Sequence, residues 1–128
     1  MPQKDSDSDS EADAEMKFET LKLARKVVTD AFIEIRRLDK FDPLRNQASR
    51  SAIRVVSNIA EVNQRKGRDR RQLFLVAKGS LSELNEQLLL IPLNPSNSIF
   101  EDIDRLGGMI YGLIKKSESE SESASAHK

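Results

Sequence analysis

Apolar residues recur three and four positions apart in four successive stretches, and that periodicity restricts the chain to helices. The first stretch holds Leu21, Ala24, Val28, Ala31, Ile35 and Leu38, and the second Ala48, Ala52, Val55, Ile59 and Val62. The third holds Phe74, Ala77, Leu81, Leu84, Leu88 and Ile91, and the fourth Ile99, Ile103, Leu106, Ile110 and Leu113. At 3.6 residues per turn each set lies along one side of a helix. No alternating run bounded by hairpin residues occurs, so strands are not expected. The breaks carry their own chemistry. The first stretch stops near Asp39. Asp42 offers an N-cap and Pro43 suits the first helical turn. Gly67 interrupts a charged loop, Pro92 and Pro95 close the third stretch, and Ser98 with Glu101 forms a capping box for the fourth. Connections of roughly four to eight residues favour antiparallel neighbours. The expected fold is all-α, an up-down-up-down antiparallel four-helix bundle whose helices have roughly 20 residues and span about 30 Å.

The residue inventory removes several function classes. The chain has 128 residues, enough for one compact domain. It has no Cys, which removes disulfides, thiolate nucleophiles and zinc–thiolate sites. Its one His is His127, so catalysis by His and di-iron sites built on Glu-x-x-His pairs are not expected. No apolar run approaches the roughly 18–20 residues of a membrane span. Pro2 to Glu15 are acidic and polar, unlike a secretory or mitochondrial leader. The expectation is a cytoplasmic protein without cofactor or metal.

The net charge of zero conceals a division. Residues 1–15 hold six acids against Lys4, and 117–128 hold Glu118, Glu120 and Glu122 against Lys128. Both alternate Ser with acid and contain almost nothing apolar, so they are expected to be disordered tails flanking a bundle domain at 16–116. These tails serve solubility or fold back over the basic middle and compete with an anionic partner. Between Arg36 and Arg71 stand eleven basic and four acidic residues, a net of +7. The eleven are Arg36, Arg37, Lys40, Arg45, Arg50, Arg54, Arg65, Lys66, Arg68, Arg70 and Arg71, and together they are the candidate nucleic-acid-binding set. The densest part, Arg65 to Arg71, has no aromatic residue interleaved, so phosphate attraction rather than base stacking is expected.

Two features of the periodic segments suggest contact beyond a single bundle. In the second stretch Ile53, Val56 and Ala60 widen the apolar arc to about 180°. In the fourth, Gly107, Gly108 and Gly112 each cost about 1 kcal/mol in a helix interior, which close backbone approach would offset. A wide internal contact or a subunit interface accounts for both. The polar side of the second stretch carries Gln47, Arg50, Arg54, Ser57, Glu61 and Gln64. Asn58 lies at its border and needs partners if half-buried, from a neighbouring helix end or an Arg. Glu61 and Glu83 could meet as an acid–base pair, but no nucleophile, ligand set or phosphate loop accompanies them. Pairing with Arg50, Arg54 or Arg65 is the expected role of these acids.

Residues Gln47 to Glu61, and above all Ser57-Asn58-Ile59-Ala60-Glu61, resemble the first signature of the four-helix bundle protein family, also called 23S rRNA intervening-sequence proteins. Ala77-Lys78-Gly79-Ser80-Leu81-Ser82-Glu83-Leu84 is similar to the family's second signature, Ala-x-Gly-Ser-x-x-Glu-Leu. Val56 and Val62 stand where the family usually has Pro and Gly, and the acidic tails lie outside its pattern. The resemblance covers residues 16–116. It implies a bacterial, cytosolic, ring-like homopentamer with no known enzymatic activity. The family is distantly similar to accessory variability determinants of diversity-generating retroelements, which bind a reverse transcriptase and nucleic acid. The functional expectation is a non-enzymatic oligomer that binds RNA or DNA through its basic surface. The alternative is a protein-interaction scaffold with an acidic partner, or an accessory subunit, for example of a reverse transcriptase.

Overall fold

Each of the four periodic stretches forms a helix in a computed structural model, which describes the backbone of residues 2–93 and 97–126 and the side chains of 11–93 and 97–118. The order is α1 (Pro2–Ile35), α2 (Pro43–Glu61), a 3-10 turn (Val62–Gln64), α3 (Arg68–Leu89) and α4 (Ile99–Ala126). There are no strands among the described residues, and the architecture is an all-α four-helix bundle. The helices pack in ring order, α1 on α2, α2 on α3, α3 on α4 and α4 back on α1. Short connections make each neighbour antiparallel. The α1–α2 and α3–α4 turns therefore share one end of the bundle. The α2–α3 turn shares the other end with the N-terminal part of α1 and the C-terminal part of α4.

The apolar stripes form one core. Ala48, Ala52, Val55, Ile59 and Val62 are all buried, as are Phe74, Leu81, Leu84, Leu88, Ile103, Leu106, Ile110 and Leu113. Alanines at 24, 31, 48, 52 and 77 are fully buried, which lets the helices approach where larger residues from the opposite helix fill the space. Leu21 and Leu38, at the ends of the first stripe, are only partly covered.

Local signals place most boundaries. The Asp42 carboxylate accepts a hydrogen bond from the Leu44 N–H at 2.9 Å, with Pro43 in the first turn. Gly67 has a φ of 60°, a left-handed conformation that favours glycine, and α3 begins directly after it. At the start of α4 Ser98 directly precedes the first helical residue, the place expected of a cap, and Asn97 adds a side-chain bond. Asn97 Oδ1 accepts from the Ile99 N–H at 2.9 Å, while the Ser98 carbonyl already accepts from the Asp102 N–H at 3.0 Å. Asn97 lies one residue further out than Asp42 does in α2, and its side chain reaches the N–H of the first helical residue rather than the second. Pro95, expected to help end the third stretch, lies outside the described residues.

Two helices are longer than the periodicity indicates. The segments expected as disordered tails, 1–15 and 117–128, are helical from Pro2 into α1 and through Ala126 in α4. Once a helix is nucleated, each added residue contributes a further backbone hydrogen bond, and acids near an N-terminus suit the helix dipole. Side chains on both sides of the expected boundaries also tie them down. Asp13 pairs with Lys17 at 2.7 Å and with Lys116 at 3.3 Å, and Glu118 pairs with Arg71 at 3.2 Å. The bundle therefore includes Asp13 and Glu118, beyond the limits of 16 and 116.

The glycines expected to permit close approach do not do so within this chain. A Cβ added at Gly108 or Gly79 would meet nothing within 4 Å. At Gly107 it would touch Leu81 Cδ2 at 3.8 Å and at Gly112 Met16 Cε at 3.5 Å, both ordinary contacts. The wide apolar arc of α2 is also left partly open: Ile53 is 52% exposed and Ala60 is exposed, while Val56 is half-buried.

Candidate nucleic-acid interface

The eleven basic residues are continuous in sequence but divided in space. Arg36, Arg37, Lys40 and Arg45 sit around the α1–α2 turn. Arg65, Lys66, Arg68, Arg70 and Arg71 sit around the α2–α3 turn at the opposite end. The 19 residues of α2 separate them by about 28 Å, with Arg50 and Arg54 between. The expected single basic surface is thus two clusters, because an antiparallel connection reverses the chain after each one.

Two of the four cations of the first cluster, Arg37 and Lys40, are engaged locally. Arg37 pairs with Glu34 at 2.8 Å, and the Lys40 ammonium lies 5.2 Å from the centre of the Phe41 ring. Phe41 is itself 81% exposed, so this end carries an aromatic face beside its cations.

The second cluster is denser. Lys66 and Arg68 are exposed, whereas Arg70 and Arg71 lie half-buried at the start of α3. Arg65 reaches back one turn to Glu61 at 3.0 Å. Gly67, at the N-cap of α3, has no side chain to accept from the first-turn N–H groups. Those donors and the positive end of the helix dipole add to the field of the cations, with Asp69 as the acid in that turn. Arg70 and Arg71 each keep a buried Nε–H without a partner among the described residues.

The two motif blocks meet across the α2–α3 interface. Glu83 Oε2 accepts from Arg54 Nη2 at 3.2 Å and from Ser51 Oγ at 3.3 Å. Ser51 is fully buried, and its single hydroxyl proton is shared between Glu83 and the Gln47 carbonyl at 3.1 Å. Ser51 escaped the sequence reading because it falls beside Ala52 in an apolar stripe. Its spacing of three from both Ala48 and Arg54 was the available signal. Glu61 pairs with Arg65 some two turns, or about 10 Å, beyond Arg54 along α2, so the two carboxylates are held apart by separate partners. The expected pairing of these acids with arginines is what the structure contains. Asn58 is half-buried, and its partner is neither a neighbouring helix nor a guanidinium: Nδ2 donates to the Arg54 carbonyl, one turn back on its own helix, at 2.7 Å. Among the remaining motif residues Ile59, Ser80 and Leu84 are buried, while Gln47, Ser57, Ala60 and Gly79 face outward.

Two further ion-pair clusters tie α1 to α4. Lys26 bridges Asp30 at 3.1 Å and Asp102 at 2.6 Å, tying α1 to the first turn of α4. The hydrogen bonds that Lys26 donates to Asp102 and then Asp30 raise its ammonium above its ordinary value. Partial burial pushes the Asp13 carboxyl up, but hydrogen bonds and attraction from Lys17 and Lys116 outweigh it and hold the group below the usual carboxylate value.

Among the described residues no cluster of His, Cys, Asp and Glu could hold a metal ion, and no helix is long and apolar enough to cross a membrane. An open groove of about 640 Å³ runs between α3 and α4, lined in part by Lys78, Asn85, Phe100, Asp104, Gly108 and Tyr111. Compared with known proteins, the chain matches no family model, no curated protein and no solved structure. What can be said of its class therefore rests on its own architecture, a four-helix bundle with a cationic turn at one end.

Proposed function

We propose that this chain is a non-enzymatic bundle protein that assembles with copies of itself and binds nucleic acid, RNA or DNA, through the basic residues of the α2–α3 turn. One observation carries the reading: five cations, Arg65, Lys66, Arg68, Arg70 and Arg71, stand within seven residues around a helix N-terminus that has no side-chain cap. Cations at this density release counterions from a phosphate backbone, which gives affinity without base selectivity. The resemblance of residues 47–61 and 77–84 to four-helix bundle proteins points the same way. It also makes a homopentameric ring in a bacterial cytoplasm the proposed assembly. Exposed Ile53 and Ala60 on the apolar arc of α2 supply a face for contact between copies.

The test is fluorescence anisotropy of labelled RNA and DNA duplexes over a salt series. Affinity falls steeply with salt, and changing the five cations to Ala weakens binding on every sequence and lowers the salt slope by about four. Binding that ignores salt would defeat the reading. Light scattering tests the assembly, since a particle of 14.4 kDa at working concentration is a lone protomer and counts against it.

A second reading, an accessory subunit or scaffold for an acidic protein or a reverse transcriptase, draws on the α3–α4 groove and on exposed Leu75 and Tyr111. Stoichiometric retention of a purified polymerase after nuclease treatment favours it.

A further inference from the structure

The antiparallel topology brings the N-terminal part of α1 and the C-terminal part of α4 to the bundle end that carries the α2–α3 turn. Glu118, the first acid of the C-terminal segment, is therefore delivered to Arg71, in the densest cationic stretch of the molecule. The contacts confirm the alignment. Glu118 Oε1 accepts from Arg71 Nη2 at 3.2 Å across 47 residues of sequence. Its other oxygen lies 3.9 Å from the Lys115 ammonium. Asp13, on α1, is level with Lys116, two residues before Glu118, at 3.3 Å. The helical backbone of α4 continues past Glu118 to Ala126, and that of α1 begins at Pro2. Residues 1–15 and 117–128 each carry net negative charge, while Arg65 to Arg71 hold five cations and one acid. Arg71 and Glu118 retain 40% and 33% side-chain exposure, so an anion from solvent can reach the pair.

We propose that the acidic termini regulate the α2–α3 turn as an internal polyanion, with Glu118 on Arg71 as the anchoring contact, so that nucleic acid must displace them in order to bind. This rests on the function proposed above and adds its control. The competition is between carboxylates already held at high effective concentration by the helices and phosphates arriving from solution. Its strength falls as salt screens both sides.

The experiment uses the full chain and a fluorescein-labelled 20-base-pair RNA duplex. The variant E118Q/E120Q/E122Q removes three negative charges without shortening the chain, and circular dichroism confirms retained helicity. It binds the RNA about tenfold more tightly than the parent at about 50 mM salt, and the difference shrinks below about twofold at about 300 mM. Neutralising three exposed acids at the other end of the bundle, E86Q/E101Q/D104N, changes affinity by less than about twofold at the lower salt. In an R71A background E118Q loses its effect, because the contact it breaks is already absent. Equal tightening by the two triple variants reduces the effect to net charge and overturns the proposal. So does a parent that binds RNA while E118Q/E120Q/E122Q binds no better, a result that leaves the proposed function standing. If neither parent nor variant binds RNA at the lower salt, both fall together.

Discussion

Gly79 and Gly108 are placed mid-helix, in α3 and α4, where glycine costs about 1 kcal/mol relative to Ala. Nothing in the protomer explains the choice, since a Cβ at either position meets no atom within 4 Å. For a protomer that functions alone, Gly79→Ala and Gly108→Ala therefore each stabilise by about 1 kcal/mol. The gain comes from the backbone entropy that glycine loses on folding and from no new contact. Unfolding entropy for a chain of this size is about 270 cal/mol/K, so each substitution raises the melting temperature by about 4 °C and the pair by about 7 °C. Gly67→Ala is the opposite case. Its φ of 60° strains an alanine, and the melting temperature falls. Thermal unfolding followed by circular dichroism at micromolar concentration measures all three. The reasoning is refuted if G108A or G79A lowers the melting temperature. If the loss grows with protein concentration, another copy lies against the helix there.

Other expectations follow from burial and capping. Leu84 is fully buried on α3, and L84A costs about 2–5 kcal/mol in denaturant unfolding, whereas R54A, which breaks an exposed pair, costs about 1 kcal/mol or less. Asp42→Ala removes the cap from α2 and lowers stability by about 1 kcal/mol, a loss that D42S or D42N largely restores. Because the Asp13 carboxyl is held below its unfolded value, its stabilising contribution is complete above that ordinary value and is lost as pH falls through the lower folded one. An NMR titration of its carboxyl carbon accordingly shows a depressed midpoint, which moves up in K116M; an unchanged midpoint in K116M would show that the Lys116 contact is not formed in solution.

The helices were legible because their signals are local and repeated. Every apolar residue assigned to α3 and α4 is buried, since a stripe at helical spacing has one way to leave water once a neighbour is present. Asp42 and Gly67 were legible for a related reason: a cap and a left-handed turn are decided by a residue and its immediate neighbours. The side-chain bond from Asn97 to the first N–H of α4 was not legible, because the path of the preceding connection decides whether Asn97 can reach it. Of the candidate site, the density of cations around Gly67 was plain in the sequence. Its separation from Arg36, Arg37, Lys40 and Arg45 was not, because one-dimensional charge runs do not record chain reversal.

The sequence by itself determined four amphipathic helices, their turns and the amount of charge of each sign. These follow from residue types over a few positions and require no knowledge of what lies opposite. Only the tertiary structure decided which charges are neighbours. Glu118 on Arg71, Asp13 on Lys116, Lys26 on Asp102, and the buried Ser51 beside Glu83 depend on helices aligned in register. Coulomb attraction at these separations is set by distances of 2.6–3.3 Å, and such distances between residues far apart in sequence exist only after the core has packed.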